Sequence, residues 1–411
     1  MLARSIDSRS SPPLATTSRS KMAVIICFLV TLVDGYDTLM LAFVAPLISK
    51  HFSMPPGSFG KLFSAGYAGA AIGALCVGTA ADRWGRKRMM IVSMLIAGAF
   101  TLLCAWADSP TELMVLRFLA GIGLGGAIPC AAALTGEHVA AERRTQTVAR
   151  MFLGFPIGAI AGGALTAAVM PLVGWRGVFI GGGAVALLIV LVAMAIPPAP
   201  REPRVPGAHG ALRTLSQLFA EGRALGASLI CLAAFLMLMV TYFLVSWVPT
   251  MLTLNGVDAQ LAALGGVMIN VGAVVGALAM SYLILGRNPF PRVATCMAAG
   301  AVLIPVFGFS VGGGVGVAVP LSLVFCVGLL LIGGQQNFPA LCVHFFPPAV
   351  RATGVGTAMA CGRVGSIVGP IIGGMLVSAH LPWTELFVIA SIPAVMAGIA
   401  LAFVKKVEER V

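Results

Sequence analysis

The chain has 411 residues, 59% of them hydrophobic and only 10% charged, with a formal net charge of +12. A soluble domain carries about 25% charged residues, so this composition excludes a soluble fold and describes an integral membrane protein. The excess of cations lies in short loops between apolar runs, where it orients membrane spans, so nucleic acid is not an expected partner.

Residues 1–21 are polar and Ser-rich and lack the short apolar core of a signal peptide; they read as a disordered cytoplasmic tail. The first apolar run, from about Met22 to Ser49, exceeds the roughly 20 residues that a helix needs to cross a bilayer. It carries two acids in the stretch Thr31-Leu-Val-Asp34-Gly-Tyr-Asp37-Thr38. Asp34 lies roughly 18 Å into the helix at 1.5 Å per residue, near the midplane. A carboxylate there costs at least about 2.5–3.5 kcal/mol on insertion scales, so Asp34 and Asp37, spaced i, i+3, should look into a bundle interior. Simple pairing with cations of neighbouring helices is the alternative to a functional role.

Further apolar runs give spans at about 59–81, 89–107, 111–136, 147–170, 176–196, 225–250, 261–284, 291–312, 315–344, 353–379 and 383–404. The expected fold is therefore an all-α membrane protein of twelve transmembrane helices. A polar, Pro-rich linker (197–224) divides an N-terminal half (22–196) from a C-terminal half (225–404), and residues 405–411 form a tail. Lysines and arginines gather in the N-terminal tail, at 83–88, at 143–150, in the linker, at 287–292, at Arg351 and in the C-terminal tail. Only Lys50, Lys61 and Arg176 fall on the other side, which puts both termini in the cytoplasm. The halves also repeat a pattern: Gly125-Gly126, Glu137 and Arg143-Arg144 are spaced like Gly333-Gly334, His344 and Arg351, as parallel repeats would be.

The loop Gly78-Thr-Ala-Ala-Asp82-Arg83-Trp84-Gly85-Arg86-Lys87-Arg88 joins the second and third spans. Gly78 permits close helix contact, Gly85 allows a tight turn, and Asp82 can bind a cation or a helix N-terminus. This loop resembles the signature loop of the major facilitator superfamily, and Arg117-Phe-Leu-Ala-Gly121-Ile-Gly123 resembles that superfamily's fourth-span motif. The resemblance implies two pseudo-symmetric six-helix halves and a charge network around Asp82 and Arg86 that locks the cytoplasmic side. Arg83, Glu137, Arg143 and Arg351 are read into the same network, whereas the second half's loop, Arg287-Asn-Pro-Phe-Pro-Arg292, lacks the acid. Gly121, Gly123 and Gly126 also match G-x-G-x-x-G, but they follow no strand and imply no dinucleotide.

Asp34-Gly-Tyr-Asp37, Gly136-Glu137-His138 and the run from Arg351 through Gly354, Gly356 and Gly362 to Arg363 narrow the resemblance to the aromatic acid:proton symporters. That implies a secondary transporter importing an aromatic carboxylate with protons by alternating access. Asp34 and Asp37 are then assigned to proton coupling. Arg117, permanently charged, needs a carboxylate or an anionic ligand, with Asp34 and Asp37 as candidate partners. Arg363, roughly 15 Å into its span, is placed to receive a substrate carboxylate, a salt bridge between the halves being the alternative. Tyr67, Tyr242, Trp247, Asn270, Gln335, Gln336 and Asn337 are candidates for stacking on a ring or bonding its hydroxyl. His344 has no assigned role.

The nine cysteines all fall in apolar runs without a CxxC pair, so they read as small buried hydrophobes. No HExxH, nucleophile elbow or phosphate-binding loop occurs in a suitable context, so neither catalysis nor a metal or other cofactor is expected. The rival readings are an exporter of drugs or a carrier of another organic acid, a membrane sensor without flux and, last, a membrane-embedded enzyme. The expected setting is a bacterial cell inner membrane, with lipid, protons and a small aromatic acid as partners and a monomeric chain.

Overall fold

The computed structural model describes residues 18–196, 218–219, 223–284, 288–313, 316–347 and 350–408, and among them no strand occurs. In chain order the helices are α1 (Ser18–Phe52), α2 (Phe59–Trp84), α3 (Arg86–Leu103), α4 (Pro110–Glu137), α5 (Ala141–Phe152) and α6 (Gly154–Met194). The second half follows with α7 (Ala224–Leu254), α8 (Ala259–Leu283), α9 (Pro289–Gly312), α10 (Ala318–Phe345), α11 (Arg351–Ser378) and α12 (Trp383–Glu408). The linker read at 197–224 lies almost wholly outside the described residues. Helix α1 is described from Ser18, inside the stretch read as a tail, and α12 as far as Glu408, past the expected end of its span.

Among the described residues eleven stretches are long and apolar enough to cross a membrane. One of them, Gln146–Met194, has 49 residues, roughly 73 Å of helix against a hydrocarbon core of about 30 Å, and therefore holds two crossings. The reversal sits at Gly174, whose φ of 65° and ψ of −176° are open to glycine and strained for other residues. Before it, α6 runs alongside α1, with Gly154 on Phe28 and Gly162 on Tyr36. After it, Gly183 sits on Leu102, and Lys87 at the start of α3 donates to the Met194 carbonyl at 2.8 Å. Twelve crossings result, in an all-α membrane protein.

The start of α4 shows how local sequence sets a boundary. Ser109 caps the helix by accepting from the Glu112 amide at 3.1 Å, and the Glu112 carboxylate accepts from the Asp108 amide at 3.0 Å. Helix α10 is less regular: it widens to a π turn over Gly328–Ile332 and breaks at Gln336 and Asn337 before resuming at Phe338.

In lipid, apolar surface gains little by burial, so helix pairs form where small residues let backbones approach. Gly35 and Gly158 join α1 to the first crossing of α6, at Phe155 and Leu32, and Gly69 and Gly125 join α2 to α4, at Phe118 and Ala70. In the second half Gly365 and Gly369 seat α11 on α7, at Phe235 and Met239, while Gly272 and Gly276 seat α8 on α10, at Phe325 and Leu329. Each pairing in the first half thus recurs six crossings later, as parallel repeats require.

The halves meet chiefly at the end that carries the 52–59 and 378–383 connections. There Gly60 rests on Pro370, the Ser64 hydroxyl donates to the Ile367 carbonyl at 2.6 Å, and Gly266 packs on Phe43. At the opposite end, Gly78 of α2 and Gly356 of α11 face open space.

Candidate functional site

The two acids of α1 go to different places. Asp37 is 3% exposed and accepts from Arg117 Nη2 of α4 at 2.5 Å and from the Thr101 hydroxyl of α3 at 2.7 Å. Arg117 is equally buried, and its guanidinium lies 5.7 Å from the Phe179 ring centroid of α6. An ion pair this deep costs much desolvation and holds only because hydrogen bonds on both sides fix its geometry. Of the two partners open to Arg117 in the sequence, Asp37 is the one it takes. Thr101 does not stand out in the sequence, where its one signal is a hydroxyl inside an apolar span.

Asp34, 9% exposed, lies within electrostatic reach of Arg363 on α11, as does the Tyr242 hydroxyl of α7. Among the described residues the Arg363 guanidinium has no salt-bridge or hydrogen-bond partner, and the residue is only partly buried. Its backbone carbonyl accepts from Ser366 at 2.7 Å, inside the same helix. A permanently charged guanidinium fork matches the two oxygens of a carboxylate in geometry.

Aromatic rings join the two halves. Tyr67 of α2 and Tyr242 of α7 meet edge to face at 4.6 Å, and the Tyr67 hydroxyl shares a hydrogen bond of 3.1 Å with Ser246. Both contacts run between the halves. Trp247 lies deeper, fully buried against Phe63 at 5.7 Å, and its indole N–H donates to the Pro370 carbonyl at 3.1 Å. Its polar atom is therefore committed to the contact between α7 and α11. Asn270 likewise bonds its own helix, donating to Gly266 at 2.8 Å. Gln335 pairs with the Thr241 hydroxyl across α10 and α7, Asn337 donates to Gly333 at 3.2 Å, and Gln336 is exposed. Of that polar cluster, Gln335 is the member tied to a helix that lines the space beside Arg363.

The loop between α2 and α3 turns at Gly85, with φ of 96°, and Gly78 precedes it in open space. Arg86 and Glu137 form a salt bridge of 2.7 Å between the start of α3 and the end of α4. The side chain of Asp82 lies outside the described residues. Arg83 and Arg143 are exposed, and Arg351 Nε donates to the Phe346 carbonyl at 3.2 Å, closing the start of α11. His344 lies 6.0 Å from the Phe290 ring. Among the described residues no group of three His, Cys, Asp or Glu side chains is placed to hold a metal ion.

Residues 27–366 match the Major Facilitator Superfamily. The chain is 33% identical to the 3-(3-hydroxy-phenyl)propionate transporter of Escherichia coli, covering 95% of each chain. It is 30% identical to the 4-hydroxybenzoate transporter PcaK of Pseudomonas putida, over 92% of this chain and 91% of that one. A gallate transporter of the same organism is 32% identical over 92% and 90%. Among solved structures, a D-xylose–proton symporter superposes with a TM-score of 0.77 at 17% identity, over 95% of this chain and 98% of that one. A family match over most of the chain, twelve crossings and repeated halves agree: the chain belongs to the Major Facilitator Superfamily and is a membrane transporter, not an enzyme.

Proposed function

We infer that the protein imports a monoanionic aromatic carboxylate together with protons. The observation that carries this reading is the half-buried Arg363 guanidinium within electrostatic reach of Asp34 and of Tyr242, whose ring meets Tyr67 edge to face. The guanidinium supplies a bidentate anion site, the rings supply stacking faces, and the Thr241–Gln335 pair offers polar atoms for a ring hydroxyl. The names of the relatives, for 4-hydroxybenzoate, gallate and hydroxyphenylpropionate, support this substrate class. Asp34 and Asp37 are the proton carriers in this reading. Neutralising Asp34 frees Arg363 for the incoming carboxylate, and neutralising Asp37 loosens α1 from α3 and α4. With both termini cytoplasmic in a bacterial inner membrane, the contacts around Gly60 and Ser64 close the outer end, and the site opens inward.

Uptake of labelled 4-hydroxybenzoate, 3-hydroxybenzoate, benzoate, gallate and 3-hydroxyphenylpropionate, with and without a protonophore, tests the reading. The expected result is protonophore-sensitive accumulation of at least one acid, abolished in Asp34→Asn. Accumulation of none, in cells where the protein is shown in the membrane, discards it in favour of another organic acid or of export.

A further inference from the structure

Two seams join the halves at their closed end, and they are built differently. Between α2 and α11 backbone lies on backbone, Gly60 on the Pro370 carbonyl and Gly374 on that of Gly57. Between α8 and the first crossing of α6 a side chain is interposed, the ring of Phe43 from α1. A Cβ on Gly266 of α8 would meet Phe43 Cε1 at 2.5 Å and Cδ1 at 3.3 Å, and one on Gly163 of α6 would meet Cζ at 2.8 Å and Cε2 at 3.1 Å. The ring is 1% exposed and is held along two of its edges, by one glycine from each half. A methyl group on either glycine would have to displace it.

The ring belongs to the helix that carries both acids. Phe43 lies six residues beyond Asp37 on α1, roughly 9 Å along the axis at 1.5 Å per residue. No glycine or proline interrupts the helix between them, so that segment moves as one rod. Asp37 ties the rod to Arg117 of α4 and Thr101 of α3, in its own half, and Phe43 ties it to Gly266, in the other. Association of helices in lipid depends on close packing of this kind, so an ill-fitting ring weakens the seam.

We propose that Phe43 is the positioning residue that keeps this end of the transporter closed: its ring, seated between Gly163 and Gly266, holds α1 to α8, and the halves part here only as the ring leaves Gly266. Gly163 lies in the same half as Phe43 and keeps its hold on the ring, so Gly266 is the side that releases it. The α2–α11 seam, with no side chain of this size between its glycines, then opens with it.

The test uses the purified full chain in nanodiscs, in a background without the nine native cysteines. Ser64→Cys puts a thiol in the α2–α11 seam, where Ser64 is 4% exposed, so its rate of reaction with a water-soluble maleimide reads the opening of this end. Spin labels on Gly78→Cys of α2 and Gly356→Cys of α11, which face open space, read the width of the other end as the distance between them. Phe43→Ala removes the ring and Gly266→Ala displaces it. Each is expected to speed labelling of Ser64→Cys at least fivefold and to shorten the distance at the other end. Adding Phe43→Leu to Gly266→Ala, a smaller side chain in a smaller socket, is expected to return labelling to within twofold of the background. Unchanged labelling in an alanine variant, faster labelling without a shorter distance at the other end, or no recovery in the double variant overturns the proposal. Should one alanine variant not be recovered folded, the other decides by the same two readings. Neither measurement involves substrate or protons, so the aromatic-acid symport reading stands or falls separately.

Discussion

At the scale of single residues, the two acids of α1 make different predictions because they have different partners. Asp37→Asn leaves Arg117 charged, buried and without its carboxylate, and breaking a buried pair from one side costs about 3–5 kcal/mol. Thermal unfolding in detergent should show that loss. The double variant Asp37→Asn/Arg117→Gln removes both charges and should regain most of the stability without regaining accumulation. Equal stability of the single and double variants would mean that the pair is not the mainstay it is taken to be. Arg363→Gln should behave in the opposite way, since among the described residues its guanidinium has no salt bridge to lose, only its electrostatic attraction to Asp34 and Tyr242. Folding should be intact, and KM for the aromatic acid should rise about 10- to 100-fold, the worth of a charge-assisted hydrogen bond of about 1.5–3 kcal/mol. An unchanged KM would return Arg363 to a structural role. The i, i+3 spacing correctly put both acids on one helix, yet it did not reveal that one serves the N-terminal half and the other faces across to α11.

At the scale of helices, glycine position separates contact from open space. Gly365 presses directly on the Phe235 backbone, whereas Gly356, nine residues earlier on the same helix, meets nothing within 4 Å. Gly365→Val should therefore abolish recovery of folded protein, because neither backbone can yield. Gly356→Ala should fold at least as well as wild type, gaining up to about 1 kcal/mol of helix propensity. Size-exclusion profiles and unfolding temperatures of the two variants decide the point; a well-folded Gly365→Val would show that the α7–α11 seam is looser than its glycines require. The helix boundaries of α4 were legible locally, from Ser109, Pro110 and Glu112. The reversal at Gly174 was not legible as a tight one, since the sequence around it reads as a loop of several residues and only the backbone conformation shows that one glycine suffices.

For the whole molecule, the two halves touch at one end and part at the other, so fixing the closed end should stop the cycle. Ser64 of α2 and Ile367 of α11 meet there, the Ser64 hydroxyl donating to the Ile367 carbonyl at 2.6 Å. A Ser64→Cys/Ile367→Cys pair in a background without the nine native cysteines, bridged by a short bifunctional thiol reagent, should lose uptake on crosslinking. Uptake that survives complete crosslinking would refute rocking about this contact. Class, crossing number and superfamily were determined by the sequence alone, because an apolar run of 20 residues has no other stable fate and because the loop at 78–88 combines an acid, two glycines and a cluster of cations at fixed spacing. The repeat between halves was also visible, through glycines that recur at matched positions. Tertiary structure alone decided the pairing of Arg117 with Asp37 rather than Asp34, the committed bonds of Trp247 and Asn270, and the placing of Arg363 within reach of Asp34 and Tyr242. A side chain's partner depends on which helix faces it and at what height, and that is set by long-range backbone packing that no local spacing encodes.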